Sequence, residues 1–124
     1  MNPEKLLGLL ADRLGRIVPE GFGVEIDGGL LWYTEDGVRR SGTYIVSNLP
    51  AFGDSIDVRV AGVARQALDE LQDAVDEATA DPWPGARNPP RAYALVEDGK
   101  LHMWYGEPPD VALACEPILL SDLE

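Results

Sequence analysis

The sequence predicts an α+β fold of two layers, in which two helices pack on one face of an antiparallel sheet in the order α-β-β-β-α-β-β-β. Three observations lead to this fold class. Apolar residues recur at helical spacing in two segments, they alternate in six others, and the turns between neighbouring strand segments are short enough to impose antiparallel pairing. A chain of 124 residues with 45% apolar composition suits a single globular domain, residues 1–124, with its own core.

Capping signals and apolar periodicity predict both helices. Asn2 followed by Pro3 is a typical helix start, and the apolar pattern extends the first helix over residues 3–17. We expect Asp54 to cap the second helix and Pro82 to end it. The second helix carries one apolar stripe, made of Ala61, Ala64, Leu68, Leu71, Val75 and Ala78.

Six strands are predicted from alternation and turn residues. They are residues 22–26 and the segments LLWYT, VRRSGTYIV, RAYALVE, KLHMWYG and VALACEPIL. Asp98–Gly99 is a strong type I′ hairpin signal, and counting from it pairs Tyr93 with Trp104 and Leu95 with His102 on one face. The opposite face is aliphatic and is expected to pack under the helices.

Two segments of the chain resemble each other. DGGLLWY, residues 27–33, is echoed by DGKLHMWY, residues 98–105, with one inserted residue, and each lies on a hairpin that follows a helix. The echo indicates either two copies of a helix-plus-meander unit or only the residues that hairpins share.

The sheet face away from the helices is the candidate interaction surface. Trp32, Tyr93, Trp104 and His102 are expected there, and large aromatic residues are typical anchors of protein interfaces. The second helix adds an acidic arc that includes Asp69, Asp73, Asp76 and Glu77, with no base after its middle to offset the helix dipole. The sequence leaves open whether loops cover the sheet face.

Net charge limits the class of partner. The formal charge of −12 disfavours nucleic acid and anionic membrane surfaces, since both require basic patches, and it is compatible with a basic protein partner. No apolar run is long enough to span a membrane, and the first residues lack the features of a signal peptide. We therefore expect a cytoplasmic protein, and the single cysteine suits a reducing compartment.

No pattern of residues indicates catalysis, a cofactor or a metal. His102 is the only histidine, and Cys115 lies in an apolar run where a packing role is expected. Carboxylates are too numerous for any pair to indicate glycosidase-like chemistry. Trp83 lies between two prolines, which can fix it at low entropic cost, and we expect it to be mostly buried as a plug.

The predicted order of elements, together with the acidity, resembles the secretion-chaperone-like fold, although a last strand replaces its usual closing helix. The segments DELQDAVDEATADPWPG and LACEPI are similar to small uncharacterised acidic proteins of high-GC bacteria. The first resemblance implies a chaperone-like partner-binding role, and the second implies no activity.

The leading functional hypothesis is a non-enzymatic interaction module, such as an adaptor, a chaperone-like protein or an immunity-type protein, that binds a protein partner and forms a homodimer. The alternative is a small-ligand-binding protein or minor enzyme with a pocket between the sheet and the Pro-rich loop, lined by Trp83, Trp104 and His102. A purely structural subunit is a third class.

Overall fold

The computed structural model describes residues 2–44, 55–84 and 90–124 and has the predicted α+β class. In that part of the chain the elements run in the order α-βββ-α-ββββ. They are α1 (Pro3–Gly15), β1 (Phe22–Asp27), β2 (Leu30–Glu35), β3 (Val38–Tyr44), α2 (Ile56–Thr79), β4 (Ala92–Glu97), β5 (Lys100–Tyr105), β6 (Leu113–Ala114) and β7 (Ile118–Leu119), with a closing 3₁₀ helix at Leu120–Leu123.

Both helices start where a side chain can accept their first free N–H groups. The Asn2 side chain accepts from the backbone N–H of Glu4 at 2.9 Å, as predicted. α1 ends at Gly15, two residues before the predicted end, although Ile17 still packs on the core. The cap of α2 is Ser55, whereas the predicted cap Asp54 lies outside the described residues.

The apolar stripe of α2 lies in the core as predicted. Its central members, Ala64, Leu68, Leu71 and Val75, are buried, whereas Ala61 and Ala78 at its edges are half-buried. The helix ends at a left-handed Ala80, directly before the Asp81–Pro82 stop. α2 contacts strands from both halves of the chain and is therefore the central element of the fold.

The strands form two sheets instead of the single predicted sheet. The first sheet has the order β1-β2-β3, and the second has the order β4-β5-β6, with β7 also pairing with β5. The predicted last strand is divided into β6 and β7 because Pro117 has no N–H to donate to a ladder. Cys115 and Leu120 still donate backbone hydrogen bonds to the second hairpin, at 2.9 Å each.

Three two-residue turns set the register of the strands. Both central residues have positive φ in each turn, as type I′ requires: Gly28 and Gly29, Asp36 and Gly37, and Asp98 and Gly99. The predicted pairs Tyr93–Trp104 and Leu95–His102 are confirmed, and in the first sheet Glu25 pairs with Trp32.

Two tyrosine hydroxyls join the sheets to α2. Tyr33 of the first sheet donates to the carbonyl of Ala67 at 3.0 Å, and Tyr105 of the second donates to the carbonyl of Leu68 at 2.5 Å. Both rings are buried, and desolvation raises the pKa of each hydroxyl above its usual value. One core therefore includes residues from both sheets and both helices.

Removing either hydroxyl should loosen one sheet from α2. We expect Tyr105→Phe to lower the free energy of unfolding by about 0.5–1.5 kcal/mol, the net value of one hydrogen bond, and Tyr33→Phe to lower it by up to about twice as much, because its hydroxyl also hydrogen-bonds with Thr43 Oγ1. Urea unfolding followed by circular dichroism measures this. Tyr93→Phe is the matched control, because Tyr93 lies on the opposite face of the second sheet; an equal loss there would contradict the role of the two hydroxyls.

Gly106 ends β5 where no side chain fits. Its φ is +105°, and a Cβ there would lie 2.5 Å from the Asp110 carbonyl oxygen and 2.8 Å from the Ala112 nitrogen, both backbone atoms. We therefore expect Gly106→Ala to lower the free energy of unfolding by about 3 kcal/mol or more. Urea unfolding measures this change. Gly99→Ala is the control, because Gly99 also has a positive φ but a Cβ there would meet no other atom. We expect this variant to lower the free energy of unfolding by only about 1–2 kcal/mol.

Candidate interaction surface on the second sheet

The second sheet has one face turned away from the core, which we call its outer face. Successive residues of a strand point to opposite faces of the sheet. Because Leu101, Met103 and Tyr105 are buried and point inward, the residues between them lie on the outer face. β7 extends the face, since Leu119 pairs with Lys100 while its neighbour Ile118 is buried. The members of the outer face are Tyr93, Leu95, Glu97, Lys100, His102, Trp104, Ala114 and Leu119.

A stacked aromatic pair forms the middle of the outer face. The rings of Tyr93 and Trp104 lie 5.6 Å apart at 13° to each other, directly across β4 and β5. Both rings are half-buried. The Trp104 indole nitrogen is buried and has no hydrogen-bond acceptor among the described residues. Stacking holds both rings in place, so the pair is a preformed apolar platform.

Exposed aliphatic side chains lie on the same face. Leu95 is 47% exposed and Leu119 is 44% exposed. Glu97 and Lys100 stand at the turn end of the hairpin and form an opposite-charge cross-strand pair. The outer face is thus apolar in its middle and charged at one end, which is how many protein interfaces are arranged.

Trp32 does not belong to this surface. It lies on the first sheet, where the Arg39 guanidinium is 4.9 Å from its ring centroid. Arg39 is held there by Glu25 at 2.6 Å and by Asp27 at 2.9 Å, and the hydrogen bonds that its guanidinium donates to these carboxylates raise the pKa of Arg39. The equivalent tryptophan of the first sheet is therefore covered by the protein's own charged side chains.

Two of the predicted acidic residues of α2 have intramolecular roles. Asp76 accepts the backbone N–H of Trp83 at 2.7 Å, and Asp69 lies within the field of Arg65 and Arg91. Desolvation is the main reason that the pKa of each carboxyl is raised. Asp73 and Glu77 are exposed, so the acidic arc is divided between structural and solvent-facing residues.

Trp83 packs as the predicted plug. Its ring is half-buried against the core, 5.2 Å from Tyr105 in an edge-to-face contact. Gln72, which the sequence analysis missed, holds this segment by donating from Nε2 to the carbonyls of Trp83 at 2.9 Å and Pro90 at 2.8 Å. Gln72 lies next to Leu71 on the apolar side of α2, and a polar residue at such a position could have indicated a buried hydrogen-bonding role.

In the part of the chain that the structure describes, the three proposed lining residues of the predicted ligand pocket do not lie on one face of the second sheet. Trp83 packs against the inward Tyr105, whereas Trp104 and His102 lie on the outer face of the same sheet. A cleft of about 310 Å³ instead lies between β3 and α2, with Arg40, Ser41, Ala74, Glu77 and Ala78 among its lining. Arg40 is paired with Glu35 beside it.

Cys115 is buried, as predicted for a packing residue. Burial raises the pKa of its thiol to about 12, so the sulfur is a poor nucleophile at neutral pH. Within residues 2–44, 55–84 and 90–124, no group of three or more histidine, cysteine or acidic side chains is placed to hold a metal ion. In the same ranges no helix is long and apolar enough to cross a membrane.

Asp76 should make stability depend on pH. Because its pKa is raised in the folded state, the folded protein holds this proton more tightly than the unfolded chain, and stability falls as pH rises through the carboxyl range. Asp76→Asn keeps an oxygen for the Trp83 N–H and removes the charge near the negative end of α2. We expect a gain of about 0.3–1 kcal/mol at pH 7 and none near pH 3, where Asp76 is protonated.

Chemical unfolding at both pH values measures this difference. Asp73→Asn is the matched control for charge at an exposed position of the same helix. A gain for Asp76→Asn that is the same at pH 3 and pH 7 would contradict a role for its ionisation.

In comparison with known proteins, the chain matches no family model, no curated protein and no solved structure. The resemblance to the secretion-chaperone-like fold therefore stays a prediction.

Proposed function

We propose that the protein is a non-enzymatic protein-interaction module and that the outer face of the second sheet binds its partner. The observation that carries this proposal is the stacked Tyr93–Trp104 pair, flanked by Leu95 and Leu119, which are each almost half exposed. Exposed apolar side chains that cluster on one face are typical of interaction sites, whereas isolated ones are common on any surface.

The chemistry of the outer face favours a protein as the ligand. Tyrosine and tryptophan are enriched at the centres of protein interfaces, where they bury a large apolar area at a small cost in side-chain entropy. The net charge of −12 disfavours nucleic acid and anionic lipid. Burial of this face would remove apolar surface from water and leave the Glu97–Lys100 pair at the rim.

The acidic arc of α2 supports a smaller role in partner choice. Asp73 and Glu77 are exposed, and they would attract a basic partner over a distance of about 8 Å in physiological salt. Such attraction raises the rate of encounter more than the final affinity. The sheet face therefore supplies the binding energy in this proposal, and the helix supplies at most a preference for charge.

Leu95→Glu tests the proposal by placing a charge in the middle of the outer face. Affinity capture would use tagged protein in an extract of the cells that naturally produce it, with a second, differently tagged copy of the chain also offered. We expect Leu95→Glu to reduce capture at least about tenfold, because desolvating one carboxylate in an apolar contact costs more than about 1.4 kcal/mol.

Val38→Glu is the matched control. Val38 is 60% exposed on a strand of the first sheet, so the same substitution there should leave capture unchanged. Both variants alter exposed positions and should change the free energy of unfolding by no more than about 0.5 kcal/mol. If the Leu95→Glu variant captured as much partner as the Val38→Glu variant does, that result would contradict the proposed surface.

A further inference from the structure

We infer that the partner seated on the outer face is a second copy of this chain, an inference that rests on the proposed function. The two copies would pack their outer faces together about a two-fold axis that runs along the hairpin, between β4 and β5. A two-fold interface uses the same patch on both subunits, so the patch must be complementary to itself. The charge and the cross-strand register of this face meet that requirement.

Local charge is the first support. The chain carries a net charge of −12, yet Glu97 and Lys100 cancel each other on the outer face. The exposed acids of α2, Asp73 and Glu77, lie on a different element. Repulsion between acidic surfaces outside the contact is screened beyond about 8 Å in physiological salt. Two copies can therefore meet at this face without bringing like charges together.

Cross-strand register is the second support. Glu97 is directly opposite Lys100, and Tyr93 is directly opposite Trp104. An axis along the hairpin exchanges the two sides of each pair. It therefore places Glu97 against Lys100 of the partner subunit, and Tyr93 against Trp104 of the partner subunit. Glu97 and Lys100 then each meet an opposite charge, and the two stacked pairs meet each other.

The size of the face determines how strong such a dimer is. Strands of six residues at about 3.4 Å per residue are about 20 Å long, and the sheet is only three strands wide at its broadest. A contact of this size is smaller than the roughly 800 Å² that each partner buries in a standard interface. We therefore expect a reversible dimer that forms as concentration rises.

Two charge-reversal variants test the arrangement with purified protein. Sedimentation equilibrium in about 0.15 M salt, over micromolar to millimolar concentrations, should show wild-type self-association. Glu97→Lys and Lys100→Glu should each weaken it about tenfold, which corresponds to about 1.4 kcal/mol, because both symmetric pairs become repulsive. An equimolar mixture of the two variants should recover association close to wild type, since their heterodimer again pairs every charge with its opposite.

The mixture separates direct contact from indirect effects. A variant that only disturbed the hairpin would remain weak when mixed, and that result would overturn the inferred arrangement. Val38→Glu should associate like wild type, and loss of association there would also overturn it. A wild-type chain that stays monomeric, while Leu95→Glu abolishes capture of another protein, would overturn this inference and leave the proposed function standing. Leu95→Glu without effect in either experiment would overturn both.

Discussion

The fold depends on the docking of two tyrosines onto consecutive carbonyls of α2. Tyr33 and Tyr105 come from different sheets, yet they bond Ala67 and Leu68, which are neighbours in the chain. Successive residues of a helix are about 100° apart around its axis. The two hydroxyls therefore reach α2 at different positions around its axis, each from its own sheet. This docking joins to α2 both of the sheets that replace the predicted single sheet.

The same docking decides what the protein shows to its surroundings. Neighbouring residues of a strand point to opposite faces, so a buried Tyr33 puts Trp32 outside, and a buried Tyr105 puts Trp104 outside. The two tryptophans then differ in their cover. Arg39 lies over the first, whereas Tyr93 stacks on Trp104. The apolar outer face of the second sheet thus follows from inward packing and from the tyrosine that stacks on Trp104, where Trp32 has an arginine over its ring.

Local patterns were sufficient for the elements and registers but not for their assembly. Turn residues such as Asp98–Gly99 fix pairing within a hairpin, so Tyr93 could be placed against Trp104 from the sequence. The echo of DGGLLWY in DGKLHMWY needs one inserted residue, yet the turns are Gly28–Gly29 and Asp98–Gly99. Tyrosine is therefore two positions farther from the turn in the second copy, an even offset that preserves its inward direction. Leu119 was missed because Pro117 interrupts the strand that carries it, and the arginine over Trp32 depends on a third strand whose contacts no local pattern specifies.

Part of the acidity of α2 has a structural explanation. The outer face of the second sheet is therefore a better candidate for an interaction surface than the acidic arc of α2. An acid near the negative end of a helix is unfavourable, and a function outside the fold is one reason to retain it. Asp76 has another reason, because it accepts the Trp83 N–H and so ties the end of α2 to the ring that packs on Tyr105. Gln72 holds the same segment through the Trp83 carbonyl. Asp76 and Gln72 thereby hold Trp83 against Tyr105, one of the two docked tyrosines. The negative charge of Asp76 therefore has a role in the fold. The stacked pair on the outer face takes no part in that docking, and the proposed function gives a role to its exposed apolar surroundings.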